Sequence, residues 1–107
     1  MLQTADPILA EITKRLIAQF HPENIYLFGS RARGTPHADS DYDLMVIVSH
    51  SNDPGYKRAQ KAHRCMTGIP AAIDIFVFTH DEFARSRGVV GSLPDTILTE
   101  GKSLYAA

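Results

Sequence analysis

Apolar residues between positions 7 and 20 recur every three or four positions, the spacing of one face of an α-helix. Asp6 followed by Pro7 predicts the start of this helix, because aspartate caps free N–H groups and proline suits the first helical position. The apolar face consists of Ile8, Leu9, Ile12, Leu16, Ile17 and Phe20. The pattern predicts a helix that packs on a core and ends before His21 and Pro22.

Three short segments rich in β-branched and aromatic residues have the composition of strands. They cover residues 24–28, 41–48 and 71–78. The second half of segment 41–48 is apolar at every position, which predicts a strand in the middle of a sheet. Segment 71–78 is nearly all apolar, so its one charge, Asp74, is a polar group that folding alone would not place there.

The remaining segments carry weaker signals. They predict a helix over 56–67 stopped by Gly68 and Pro70, a short helix from 79 or 80 to about 87, a helical turn over 93–98 ended by Gly101, and an edge strand over 103–105. The order of elements predicts an α/β fold, with a mixed sheet of four or five strands. Helices are expected mainly on one face and the active site on the other. The length of 107 residues predicts a single domain over 1–107.

Composition narrows the classes of protein. Hydrophobic residues make up 44% and charged residues 21%, an ordinary globular balance. Lys and Arg number 11 against 12 Asp and Glu, so the chain lacks the overall charge of a protein that coats nucleic acid. No apolar run reaches the roughly 18 residues of a membrane span, and a single cysteine cannot form an internal disulfide. We therefore expect a cytoplasmic protein without membrane contact.

A candidate phosphate-binding turn follows the first strand. Gly29 lets the backbone approach a ligand closely, and the Ser30 hydroxyl with nearby N–H groups can hold phosphate oxygens. Arg31 and Arg33 add guanidinium groups, which can donate two parallel hydrogen bonds to phosphate oxygens. Taken alone, a Gly-Ser turn with two arginines is more often a solvated loop.

A candidate metal site follows the turn. Asp41 and Asp43 are two positions apart in a predicted strand, so both carboxylates project from one face about 6.5 Å apart at the backbone. Hard carboxylate oxygens suit magnesium, which can bridge triphosphate oxygens. If the strands of Asp43 and Asp74 pair, Asp74 comes beside the other two, to complete the metal site or act as general base. The alternatives are a solvated strand start for the pair and a satisfied buried aspartate for Asp74.

These residues together resemble the minimal nucleotidyltransferases of the DNA polymerase beta superfamily. The resemblance rests on the run 29–34 (GSRARG), on 40–44 (SDYDL) and on Asp74 within an apolar strand. It implies that Gly29 and Ser30 hold the phosphates of ATP and that Asp41 and Asp43, with Asp74 as third carboxylate, bind Mg²⁺. The implied reaction moves a nucleoside monophosphate to a hydroxyl and releases pyrophosphate.

The resemblance also implies a partner. Short, free-standing members of this family are typically paired with a small helical HEPN toxin, an RNase that the nucleotidyltransferase neutralises by attaching AMP to a tyrosine. We therefore expect an antitoxin that uses ATP and forms a hetero-oligomer with the toxin; nucleic acid is not expected as a direct substrate. Two alternatives stay open: transfer to a small molecule of the aminoglycoside type, and a non-catalytic antitoxin that acts by stoichiometric binding.

One surface feature is left without a role by this hypothesis. Lys57, Lys61 and Arg64, with the adjoining Arg58, give the predicted middle helix a basic stripe. The stripe is interpreted either as a solvated helix face or as a contact with a partner or with nucleic acid.

Overall fold

A computed structural model describes residues 6–32 and 41–107. This part of the chain forms four helices and four strands. In chain order they are α1 (Pro7–Phe20), β1 (Asn24–Phe28), β2 (Tyr42–Val48), α2 (Gly55–Arg64), β3 (Ile73–Thr79), α3 (His80–Ser86), α4 (Leu93–Glu100) and β4 (Lys102–Ala106). No helix among these residues is both long and apolar enough to cross a membrane.

The strands form one mixed sheet in the order β3-β2-β1-β4. β1 pairs antiparallel with β2 and with β4, whereas β2 and β3 are parallel because α2 carries the chain back between them. The strand predicted to be central, β2, lies inside the sheet, and the predicted C-terminal strand lies at an edge. The four-stranded mixed sheet confirms the predicted fold class.

The two faces of the sheet carry separate apolar clusters, because side chains of a strand alternate between faces. Leu44, Val46 and Val48 of β2 pack with α1 and α2, whereas Met45 and Ile47 pack with α3 and α4. The two longer helices thus cover one face. The shorter α3 and α4 cover part of the other face, where Phe83 and Ile97 are buried.

The start of α1 agrees with its sequence signal: Oδ1 of Asp6 accepts hydrogen bonds from the N–H groups of Ile8 and Leu9. The end of α2 does not. The helix ends at Arg64, three residues before the predicted end, and Met66 N–H bonds to His63 O in a tighter turn. Arg15 of α1 donates to the carbonyl oxygens of Cys65 and Thr67, a tertiary contact that holds this segment off the helix path.

Strand β3 begins two residues later than predicted and continues through Thr79. Thr79 is also the N-cap of α3, where its side chain and that of Glu82 form a reciprocal capping box. Arg58 of α2 ties these elements together. Its guanidinium group donates to the Val77 carbonyl at 2.7 Å and to both carboxylate oxygens of Glu82 at 2.8 and 2.9 Å.

This arrangement corrects one part of the basic-stripe hypothesis. Arg58 is 4% exposed and belongs to the interior, not to a solvated stripe. Lys57, Lys61 and Arg64 are exposed, and Lys61 pairs with the carboxylate of Asp53 at 2.6 Å. Because α2 has 3.6 residues per turn, these three residues lie on a different side of the helix from Tyr56 and Ala59.

Candidate active site

Two aspartates lie side by side where β2 and β3 begin. Asp43 and Asp74 are direct cross-strand partners, so their side chains point to the same face about 5 Å apart at the backbone. This face is the one that carries Phe76 and Met45, not the face covered by α1 and α2. Asp43 is half-buried and Asp74 is exposed, so the pair faces solvent at the rim of the sheet.

The turn after β1 lies directly against Asp43. Phe28, the last residue of β1, pairs with Asp43, and Gly29 follows with a φ of 75°. A side chain at Gly29 would overlap Oδ2 of Asp43 and stand 3.1 Å from its carboxyl carbon. Glycine is therefore required here for two reasons, the left-handed backbone and the close approach of the carboxylate.

Ala32 and Arg31 anchor this turn to the rest of the protein. Ala32 N–H donates to Gly29 O at 3.1 Å, and the Ala32 side chain is buried in the core beneath α1 and α2. The guanidinium carbon of Arg31 lies 3.9 Å from the centre of the Tyr42 ring, a cation–π contact. The turn that contains Gly29 and Ser30 is thus held at the start of β2.

Tyr42 connects the turn to α1. Its hydroxyl donates to Oδ2 of Asp6 at 2.7 Å, while Oδ1 of Asp6 caps the helix. Burial and the hydrogen bond to Asp6 raise the pKa of Tyr42. Burial by itself would raise the pKa of Asp6, but hydrogen bonds from Tyr42 and from the Leu9 and Ile8 amides outweigh it and lower that pKa. The contact is therefore a neutral phenol bound to an ionised carboxylate.

Tyr42 is a site residue that the sequence hypothesis missed. It stands between Asp41 and Asp43, and strand alternation turns it to the opposite face, where it is 3% exposed. A signal was present in the sequence, because a tyrosine at a position expected to be buried needs a partner for its hydroxyl. The identity of that partner, 36 residues away, was not readable.

A cleft of about 690 Å³ lies at the other end of β2 and β3, lined by the loop after β2 and by the start of α3. Arg58 and Glu82, which line it, are bound to each other. Of the other acidic residues in its lining, Asp53 is paired with Lys61 and Asp81 lies in the first turn of α3. We therefore assign the candidate site to the opposite rim of the sheet, where Gly29, Asp43 and Asp74 meet.

The sequence from residue 10 to residue 106 matches the family described as "Polymerase beta, Nucleotidyltransferase". This chain belongs to that nucleotidyltransferase family. It is 31% identical over 81 residues to the protein adenylyltransferase MntA of Shewanella oneidensis. The alignment covers 76% of this chain but only 52% of MntA, so the chain spans about half the length of this curated relative.

Solved structures of similar fold include a toxin–antitoxin and a putative nucleotidyltransferase. A crystal structure of a toxin–antitoxin with AMP-PNP aligns with a TM-score of 0.68 at 28% identity, covering 92% of this chain and 73% of that one. A structure described as a putative nucleotidyltransferase from Sulfolobus solfataricus aligns with a TM-score of 0.65 at 22% identity, covering 92% and 78%. The second likeness concerns the fold alone.

The candidate site brings together several of the residues predicted from the sequence. Gly29, Ser30, Asp43 and Asp74 lie at one rim, and Asp41 is the exposed residue just before β2. Within residues 6–32 and 41–107, no three His, Cys, Asp or Glu side chains are close enough together to hold a metal ion. Arg33 lies outside the described residues.

The residues that are present nevertheless fit a divalent cation. Asp43 and Asp74 offer carboxylate oxygens from adjacent strands in direct register, which is the donor type that magnesium prefers. Because Gly29 has no side chain, its backbone lies directly against the Asp43 carboxylate. Backbone can thus approach a ligand held there without a side chain in the way.

Proposed function

We propose that this chain transfers AMP from ATP to a tyrosine hydroxyl of a HEPN-family RNase toxin and acts as the antitoxin of that pair. The observation that carries the proposal is the cross-strand pairing of Asp43 with Asp74 next to the Gly29 turn. Two carboxylates and a phosphate-binding turn at one rim suit a triphosphate, whose charge needs both backbone donors and a cation.

Each residue has a proposed role. Gly29 and Ser30 bind the terminal phosphates of ATP through backbone N–H groups and the serine hydroxyl. Asp43 and Asp74, with Asp41, would hold Mg²⁺, which when bound supplies charge neutralisation at the phosphates. Arg31 contacts the Tyr42 ring and thereby orders the turn. Its proposed role is to position the phosphate-binding residues, whereas Ser30 contacts the phosphates themselves.

In the proposed reaction the acceptor oxygen attacks the α-phosphorus of ATP. A new oxygen–phosphorus bond forms, the bond from the α-phosphorus to its bridging oxygen breaks, and pyrophosphate leaves. Asp74, exposed at the rim, accepts the proton of the acceptor hydroxyl. The products are an AMP-modified tyrosine and pyrophosphate.

The relatives support the protein acceptor over a small molecule. MntA is a protein adenylyltransferase, and the structures similar to this chain include toxin–antitoxin complexes, one of them with the ATP analogue AMP-PNP. The alignment covers only 52% of MntA. We therefore propose, on the additional evidence of the rim residues, that this chain uses ATP, Mg²⁺ and a tyrosine acceptor.

The test uses the full chain, ATP, Mg²⁺ and a HEPN-family RNase toxin. Intact-mass spectrometry of the toxin should show the addition of AMP groups, and peptide mapping should locate them on tyrosine. Asp43→Asn should lower the transfer rate by at least about a hundredfold, since removal of one charged group from a phosphoryl-transfer site has effects of this order. Asp81→Asn, an equal charge change at the start of α3, is the control and should transfer at the wild-type rate.

The outcomes separate the candidate functions. An unmodified toxin after incubation with the wild-type chain would refute AMP transfer. If the toxin's RNase activity is blocked to the same extent by wild type and by Asp43→Asn, neutralisation is stoichiometric binding. Transfer to an added aminoglycoside and not to the toxin would establish the small-molecule alternative.

A further inference from the structure

Strand β3 lies at the edge of the sheet. Some of the backbone groups on its outer side are hydrogen-bonded to side chains, and others are not. Tyr42 N–H donates to Ala72 O. This bond determines which residues of β3, even-numbered or odd-numbered, direct their backbone groups toward β2. In a parallel pair, alternate residues direct both N–H and C=O to the neighbouring strand. Asp74, Phe76 and Phe78 therefore bond toward β2, and the residues between them direct their backbone groups outward.

The half of this edge far from the site is closed by side chains. Arg58 donates to the Val77 carbonyl at 2.7 Å, and Thr79 N–H donates to Oε1 of Glu82 at 2.8 Å. These two contacts confirm the outward direction of the odd-numbered residues. They also protect this part of the edge, as native proteins commonly do at sheet edges.

The half of the edge near the site is open. The outward N–H and C=O groups of Ile73 and Ile75 bond to no other strand in the described residues, where β3 pairs only with β2. Ile73 and Ile75 are the two neighbours of Asp74. The unpaired backbone groups thus flank the carboxylate that we place in the catalytic site.

An apolar groove of about 500 Å³ begins one residue beyond this half of the edge, beside Phe76, Val77 and Phe78 of β3. It runs between α2 and α3 and is lined by Tyr56 and Ala59 on one side and by Phe76 and Phe78 on the other. Tyr56 is 64% exposed and forms part of the groove wall. Most of the lining is apolar, and its two charged residues, Glu82 and Arg85, are of opposite sign, so the groove favours an apolar segment over an acidic one.

We propose that an extended segment of the acceptor protein binds here as an added strand, pairing with Ile73 and Ile75 and placing apolar side chains in the Tyr56 groove. This inference rests on the proposed protein acceptor and specifies how it is held. Neighbouring strands are about 4.8 Å apart, and directly opposed residues point to the same face. A hydroxyl-bearing residue opposite Asp74 would therefore lie beside its carboxylate, which is where a proton acceptor is needed.

Amide hydrogen exchange tests the added strand residue by residue. In the free chain the inward amides of Asp74 and Phe76 should be protected, whereas those of Ile73 and Ile75 should exchange rapidly. Addition of the toxin should slow exchange at Ile73 and Ile75 by about tenfold or more and leave Asp74 and Phe76 unchanged. This alternation is specific to strand addition, since contact through side chains would not select every second amide.

Two substitutions on α2 test the groove. Tyr56→Glu adds a negative charge to the groove wall, and Lys57→Gln makes an equal change in net charge on the side of the helix away from the groove. Tyr56→Glu should raise KM for the toxin by about tenfold, because exposed aromatic anchors commonly contribute that much. KM for ATP should not change, and Lys57→Gln should leave both constants at wild-type values.

The outcomes distinguish this inference from the proposed function. Transfer of AMP without new protection at Ile73 and Ile75 would overturn the added strand and leave the function standing. Protection without transfer would support the docking site and refute the enzyme activity. Failure of the toxin to bind refutes both. If Ile73 and Ile75 are already protected in the free chain and sedimentation shows a dimer, the edge is occupied by a second copy and the inference is wrong.

Discussion

The carboxylate of Asp43 occupies the position that a side chain at Gly29 would need. This contact joins the end of β1 to the start of β2, because Phe28 and Asp43 are paired across the sheet. A side chain at Gly29 should therefore destabilise the protein more than one at Gly88, which serves as the control. Gly88 has a similar φ of 84°, but a Cβ there meets no atom within 4 Å.

Gly88→Ala should cost only the strain of the left-handed backbone, about 1 to 2 kcal/mol. Gly29→Ala carries the same strain and must in addition displace Asp43, which should add about 1 to 3 kcal/mol and abolish nucleotide binding. Urea unfolding and ATP titration measure the two effects. Equal losses of stability in the two variants would show that the Asp43 contact is unimportant.

Asp43 and Asp74 are like charges directly opposed on neighbouring strands, an arrangement that destabilises a sheet without a cation. Asp74→Asn should therefore unfold at the same or a slightly higher temperature than wild type in the absence of metal. Mg²⁺ should raise the Tm of wild type by a few degrees and that of the variant by much less. Asp81→Asn should respond to Mg²⁺ as wild type does; an undiminished response in Asp74→Asn would remove Asp74 from the metal site.

The contributions of the Tyr42 hydroxyl and the Tyr42 ring to stability can be measured separately. Tyr42→Phe keeps the surface on which Arg31 lies but loses the hydrogen bond to Asp6, so stability should fall by about 1 kcal/mol. The pKa of Asp6 should rise, because that hydrogen bond lowers it. Carboxyl titration by NMR measures the shift. Tyr26→Phe, at a tyrosine whose ring stacks on Phe83, should leave the Asp6 pKa unchanged.

Glu82 predicts an acid-sensitive component of stability. Hydrogen bonds from Arg58 and from the Thr79 amide lower its pKa from 4.5 to about 2. Because the folded-state pKa is the lower one, this stabilisation is complete above about pH 4.5 and is lost as the pH falls toward 2. Glu82→Gln should be less stable by about 1 to 2 kcal/mol at neutral pH, an estimate that allows for solvent screening of a half-exposed carboxylate.

Unfolding measured from neutral pH down to about pH 2 tests the sign of this effect. The stability difference between wild type and Glu82→Gln should shrink through the window from 4.5 to 2, as the wild-type carboxylate becomes protonated. A difference that stays constant across this window would mean that the Arg58–Glu82 pair does not depend on ionisation. Other carboxylates titrate in both proteins and cancel in the comparison.

Sequence patterns predicted a segment for each helix and strand of the described residues, from apolar periodicity in α1, from strand composition in β1, β2 and β3, and from weaker start and stop signals elsewhere. Strand alternation, which is a local property, places Asp74 on the same face of β3 as Phe76. The ends of elements were less well predicted. The end of α2 depends on Arg15, some fifty residues away in the sequence, and no local signal in α2 reports it.

The sequence by itself determined the elements, the candidate aspartates and the glycine turn, because these follow from residue type and spacing within a few positions. Only the tertiary structure decided which backbone groups of β3 remain open, that Arg58 is interior, and that Tyr42 binds both Arg31 and Asp6. It also decided that Asp43 and Asp74 pair while Asp41 stays outside the strand. The physical reason is register: which side chains meet depends on how distant strands align, and that alignment is set by the packing of both faces of the sheet together.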